Sequence, residues 1–122
     1  MLLSDIYNTA AALISESPEG SDNEDLRKRA PFLLSNIITE LKPLDDAENG
    51  ENKCATYVFS DLDADFPLCD ELAPACAYKL AYLLAADENT PLYQILRAEY
   101  ETAKKTFISS IPATVHKIKN VY

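Results

Sequence analysis

Apolar positions along this chain recur at spacings of three and four, the period of a helix face, in four separate runs. The first is Ile6, Ala10, Leu13 and Ile14, with Ser4 as N-cap and Asp5 in the first turn. Ser17-Pro18 ends it, and Gly20 loosens the link behind. The second run starts near Asp22 or Asn23. Leu26, Ala30, Leu33, Ile37 and Leu41 form its stripe, widened by Leu34 and Ile38. Pro31 falls inside this pattern and predicts a kink or a restart, and Pro43 predicts a stop.

The third run is apolar nearly all round. Leu72, Cys76, Leu80, Leu83 and Leu84 are its main core positions, alanines fill most of the others, and Lys79 is the sole charge between Leu72 and Ala86. Such a helix is expected to be central, with Asp70 as its cap and Pro74 in its first turn, where a missing donor costs little. The fourth run has the clearest start, Thr90 as N-cap with Pro91 behind it. Tyr93, Leu96, Tyr100, Ala103 and Phe107 line one face, and Arg97, Glu99, Glu101, Lys104 and Lys105 the other. It ends around Ser109-Ser110. A short turn joins the last two helices, which are expected to pair as an antiparallel hairpin.

Between the second and third helices the pattern breaks. Residues 44–52 predict an exposed acidic loop turning at Asn49-Gly50. Residues 54–59, Cys-Ala-Thr-Tyr-Val-Phe, have strand composition without a second strand to pair with. They are expected as a short strand, as an extended packed segment, or as an edge for a neighbouring molecule. The architecture is therefore all-α: about four helices, an antiparallel C-terminal helical hairpin, a loop or short-strand insertion and an extended C-terminal tail. The helical domain takes residues 1–110 and the tail 111–122.

A chain of 122 residues that is 48% hydrophobic fits one domain able to bury a core without disulfides or metal. The start Met1-Leu2-Leu3-Ser4-Asp5 lacks the basic opening and apolar run of a signal peptide. The apolar stretch of about 15 residues, Leu72–Ala86, is short for a bilayer span, so a cytoplasmic protein is expected. The net charge of −9 argues against nucleic acid as the main partner. It is unevenly placed: residues 1–103 carry −13, and residues 104–122 carry +4 with no acid. An acidic body with a basic tail suits docking. The same lysines also complement a helix C-terminus and solubilise a chain end.

Most motifs that would carry chemistry are incomplete in this sequence. Asp61, Asp63 and Asp65 copy the opening of a calcium-binding EF-hand loop, but Phe66 stands where that turn needs Gly and Leu72 where it needs the closing Glu. Cys54, Cys69 and Cys76 form no CxxC, and one His, His116, leaves no zinc set; no metal or cofactor is expected. His116 lies in the tail, where a catalytic geometry is hard to hold. Two glycines cannot build a phosphate-binding loop. Pairs such as Asp45-Asp46 and Asp70-Glu71 read as solvated faces or caps. Arg27-Lys28-Arg29 reads as helix-surface pairing with nearby acids, or as a patch for an acidic partner. Tyr78, Tyr82, Tyr93 and Tyr100 suit either core or interface. A non-enzymatic protein that works by contact is the result. An enzyme with an unrecognised site ranks third, behind two contact readings.

The segment from Phe66 to Ala85, Phe-Pro-Leu-Cys-Asp-Glu-Leu-Ala-Pro-Ala-Cys-Ala-Tyr-Lys-Leu-Ala-Tyr-Leu-Leu-Ala, resembles the long helix of head-to-tail connector (adaptor) proteins of tailed bacteriophages. An acidic break and a second helix carrying Tyr and Lys follow, as in Thr90–Ser110, and residues 22–41 fit the earlier helices; the likeness spans roughly residues 20–122 and is compositional. It implies a small helical virion protein, present in the host cytoplasm during assembly. Such a protein binds under the portal as a ring of about a dozen copies and contacts tail proteins. It extends a channel through which DNA passes without specific binding, and no membrane is involved. In the family, C-terminal segments reach out to the portal. The resemblance thus implies a docking tail from Ile111 to Tyr122, with His116 within it. Val115, Ile118, Val121 and Tyr122 would be apolar anchors, and Lys117 and Lys119 would meet acidic surface. An acidic body suits a channel wall that lets DNA slide. The acidic loop and the 54–59 segment have no clear counterpart in the family. The second contact reading is a small acidic cytoplasmic helical regulator that binds a single protein target.

Overall fold

A computed structural model describes residues 1–14, 24–53, 55–86 and 90–111. Among these residues four α-helices follow in order: α1 Leu3–Leu13, α2 Glu24–Glu48, α3 Ala73–Ala85 and α4 Thr90–Ser110, with a 3₁₀ turn Asp70–Leu72 leading into α3. No strand occurs among the described residues; the backbone pairing Leu2–Asp65 is an isolated antiparallel bridge. The fold is all-α, as the four apolar runs predict.

α3 is the hub. It packs against α1, α2 and α4, each more extensively than α1 packs against α2. Leu72, Cys76, Leu80 and Ala81 are completely enclosed. The alanines on its remaining faces let three neighbours approach. α3 and α4 run antiparallel. Tyr82, late in α3, meets Tyr93, early in α4, edge-on at 5.2 Å between ring centroids. Glu71, in the 3₁₀ turn, and Pro74, at the start of α3, border the same hollow as Thr106 and Ser110, at the end of α4.

The first helix begins earlier than its sequence suggests. Leu2, and not Ser4, is the N-cap residue, with no side-chain cap on the helix N–H groups. The free N–H groups of Leu3 and Ser4 instead donate to the carbonyls of Ala64 (2.9 Å) and Leu62 (3.0 Å), and Phe66 N–H donates to Met1 O (2.8 Å). Asp5 accepts from Leu2 N–H at 2.8 Å. A distant loop thus satisfies the donors that a capping side chain would otherwise take.

The larger departure is in α2. One helix runs from Glu24 through both Pro31 and Pro43 to Glu48, so the expected stop at Pro43 and the exposed acidic loop from residue 44 are corrected. Its true end is a Schellman motif: Glu51 N–H reaches back to Asp46 O (2.7 Å) and Gly50 N–H to Ala47 O (3.2 Å), with Gly50 left-handed at φ 70°. Each proline removes one helix hydrogen bond. Packing of Leu41, Leu44 and Ala47 against the core offsets the second loss.

Residues 55–59 form an extended segment that pairs with a helix in place of a strand. Phe59 N–H donates to Ser35 Oγ (2.8 Å) and Tyr57 N–H to Thr39 Oγ1 (2.9 Å). Alternate residues of an extended chain lie about 6.6 Å apart, and residues four apart on a helix rise about 6 Å, so the two ladders match. Ser35 also donates to Pro31 O at 2.8 Å, which uses its hydroxyl in both directions. The Tyr57 and Phe59 rings lie stacked at 6.0 Å, while Val58, between them, is 83% exposed.

Candidate functional site

Carboxylates are the commonest reactive groups in the sequence, and two of those among the described residues are buried. Asp45 and Asp46 are 5% and 1% exposed, against the expectation of a solvated pair. Lys42, one turn earlier on α2, lies 2.8 Å from Asp46 and 3.5 Å from Asp45. Asp46 also accepts from Lys53 N–H (3.0 Å), and Asp45 from Cys69 N–H (2.9 Å). The hydrogen bond that Lys42 donates to the Asp46 carboxylate is the main cause raising the Lys42 pKa above its usual value. With the Lys42 ammonium on the same helix and the backbone amides of Lys53 and Cys69 as partners, the cluster ties the end of α2 to the loops at residues 53 and 69.

The two described thiols are shifted away from the reactive thiolate form. Cys69 and Cys76 are free. Burial pushes the Cys76 thiol up to about 12. Burial, reinforced by the Asp45 carboxylate, does the same to Cys69, also to about 12. A nucleophilic cysteine needs the opposite shift. Cys54 lies outside the described residues.

Asp61, Asp63 and Asp65 are exposed, while Leu62 and Phe66 beside them point into the core. Asp61 closes its own turn by accepting from Asp63 N–H at 2.8 Å. Among the described residues no group of three His, Cys, Asp or Glu side chains converges as metal ligands. The Arg27-Lys28-Arg29 cluster is engaged locally. Lys28 pairs with Glu24 and Arg29 with Asp25, each at 3.7 Å, and the Arg27 guanidinium stands 5.6 Å over the Tyr7 ring.

The tyrosines divide. Tyr82 and Tyr100 are buried in the α3–α4 seam with ring centroids 6.0 Å apart. Tyr100 lies beneath two ammonium groups, Lys79 at 5.1 Å and Lys104 at 5.3 Å. Its hydroxyl donates weakly to Glu40 (3.4 Å), which also pairs with Lys79. Burial first, and then the Glu40 charge, raise its pKa. The lone charge of α3 therefore pins α2 and α4 to the hub.

Tyr78 is half-buried and separates two surface hollows. One, about 340 Å³, lies between α1 and α3 and is walled by Ile6, Leu13 and Ala77 with Asp5 and Asp70 at its edge. The other, about 430 Å³, lies between α3 and α4 and is walled by Ala103 and Phe107 with Glu71 and Glu99 at its edge. Tyr78 and Pro74 line both. No described lysine or arginine lines either hollow. This acid-rimmed apolar strip is the surface best suited to contact.

Of the expected docking residues only Ile111 is described. It is 8% exposed within the core, its N–H donating to Ile108 O at 3.2 Å. It is thus a packing residue that anchors the end of α4. Val115, His116, Lys117, Ile118, Lys119, Val121 and Tyr122 lie outside the described residues. Sequence reasoning missed the buried Lys42–Asp45–Asp46 cluster. The available signal was a lysine at i with acids at i+3 and i+4, but it was overridden by the stop expected at Pro43. Comparison with protein-family models, with curated proteins and with solved structures matched nothing to this chain.

Proposed function

We propose that this chain is a non-enzymatic structural protein of a tailed bacteriophage, a head-to-tail connector that forms a ring under the portal and joins the DNA-filled head to the tail. The observation that carries the reading is the antiparallel α3–α4 pair, with α3 as the enclosed hub, at the positions where the sequence resembles connector helices. The charge layout supports it: a −13 body for a non-adhesive channel wall, followed by a basic, apolar segment suited to docking. The buried Asp45 and Asp46 carboxylates, paired with Lys42, and the raised thiols favour contact over catalysis. In this reading Val115, Ile118, Val121 and Tyr122 supply anchors and Lys117 and Lys119 meet acid on the portal. The protein resides in the virion and, before assembly, in the host cytoplasm.

Native mass spectrometry with the portal protein of the same genome tests this. The full chain should bind the portal ring at about twelve copies. A chain ending at Ile111 keeps the whole described core and should lose that binding. If the intact chain does not bind, the connector reading fails and a helical regulator with a single protein target takes its place.

A further inference from the structure

The strip on either side of Tyr78 has an apolar floor and a negative edge; the hollow between α1 and α3 also has Met1 in its wall, whereas the hollow between α3 and α4 is edged by Glu71 and Glu99 with no described cation among its lining residues. No described lysine or arginine pairs with Asp70, Glu71 or Glu99. The segment after Ile111 has the complementary composition: Val115, Ile118, Val121 and Tyr122 alternate with His116, Lys117 and Lys119, and no acid occurs. It is also delivered to the right place. Ser110 lines the hollow between α3 and α4, and Ile111, anchored in the core, fixes where the segment departs. Eleven extended residues reach about 36 Å, whereas the α4 stretch from Ser110 back to Glu99 is about 16 Å long, so the segment spans the strip with length to spare.

We propose that residues 112–122 fold back over α4 and occupy this strip of the same molecule, apolar side chains on Pro74, Tyr78 and Phe107, and Lys117 and Lys119 against Glu71 and Glu99. Tethering supplies an effective concentration in the millimolar range, enough to fill a site whose free-peptide affinity is weak. The consequence is a self-occluded tail: an external partner that takes residues 112–122 competes with the protein's own groove. The inference rests on the strip and the tail, and holds whether or not the external partner is a portal.

The test uses the full chain at low micromolar concentration. Carbodiimide coupling followed by peptide mapping should join Lys117 or Lys119 to Asp70, Glu71 or Glu99 within one molecule. Hydrogen exchange should show the 113–121 amides slowed about tenfold relative to the charge-reversed variant E71K/E99K. Both replaced residues are exposed, so that variant keeps the core. A second variant, I118D, should abolish the same protection from the tail side. Tail amides that exchange at the unstructured rate in the wild type, or cross-links found only between molecules, overturn the proposal. Portal binding is scored separately, so the two readings fail independently.

Discussion

Asp46 occupies the negative end of the α2 dipole at 1% exposure, a position that repels a carboxylate. It is stable there because Lys42 and Lys53 N–H both point at it. Removing it strands the Lys53 amide and half of the lysine's pairing. The Asp46→Ala variant is expected to lose about 3 kcal/mol, read from the urea midpoint; an unchanged midpoint would mean that Asp45 alone holds the junction. Ser35 is a comparable single point. Its replacement by Ala leaves Phe59 N–H without an acceptor and should cost about 1–2 kcal/mol, with faster exchange confined to that amide. The cysteines yield a third expectation. With its thiol at about 12 in place of 9.0, Cys76 should react with a thiol reagent at pH 8 about a thousandfold more slowly than a free cysteine. Peptide mapping of labelled protein reads this directly.

At the scale of elements, α2 shows how tertiary contacts override a breaker. Pro43 removes one backbone bond, yet the helix gains a further turn that buries Asp45 and Asp46 and packs Leu44 and Ala47. The stop moves to Gly50, whose left-handed backbone closes the Schellman motif. Nothing lies within 4 Å of where a Cβ would stand at Gly50, so Gly50→Ala should cost only the conformational penalty, about 1 kcal/mol, with no repacking. A loss of 3 kcal/mol or more in thermal unfolding would mean that the added methyl does meet a neighbour, against the open space seen here. The Asn49-Gly50 turn was legible in sequence because glycine is a local requirement. That the chain stays helical up to it was not, because the stabilising partners, the amides of Lys53 and Cys69, come from later in the chain. Likewise, residues 55–59 have strand composition, but whether hydroxyls on α2 could stand in for a neighbouring strand depends on Ser35 and Thr39 facing them at a matching rise.

At the scale of the whole molecule, the perturbed cysteines, tyrosines and lysine among the described residues act in one direction. Cys69 and Cys76 are raised to about 12, and Tyr82, Tyr100 and Lys42 are also raised. Burial leads for the thiols and tyrosines, and the Asp46 hydrogen bond leads for Lys42. The unfolded chain releases these protons first, so the folded state holds more of them at high pH and loses stability as pH rises. Below about pH 9 their contribution is fully present. It should decline from there towards pH 12, starting with the thiols. Urea midpoints measured from pH 7 to 11 are expected to hold and then fall; a midpoint that rises above pH 9 would contradict the buried state of these groups.

What the sequence determined by itself is the helical architecture and its hub. Four apolar runs at helical spacing, the near-continuous apolar character of α3 and the Thr90-Pro91 start are local signals, and local signals survive folding because the side chains that carry them define the faces that must be buried. What the tertiary structure decided is where polar groups find partners. The N-terminus of α1 is satisfied by residues 62–64, the acids at 45 and 46 by amides at 53 and 69, and the amides of 57 and 59 by α2 hydroxyls. Each match joins groups distant in sequence, so neither partner alone carries a signal of it. A buried polar atom must be paired, and only the folded chain specifies with what.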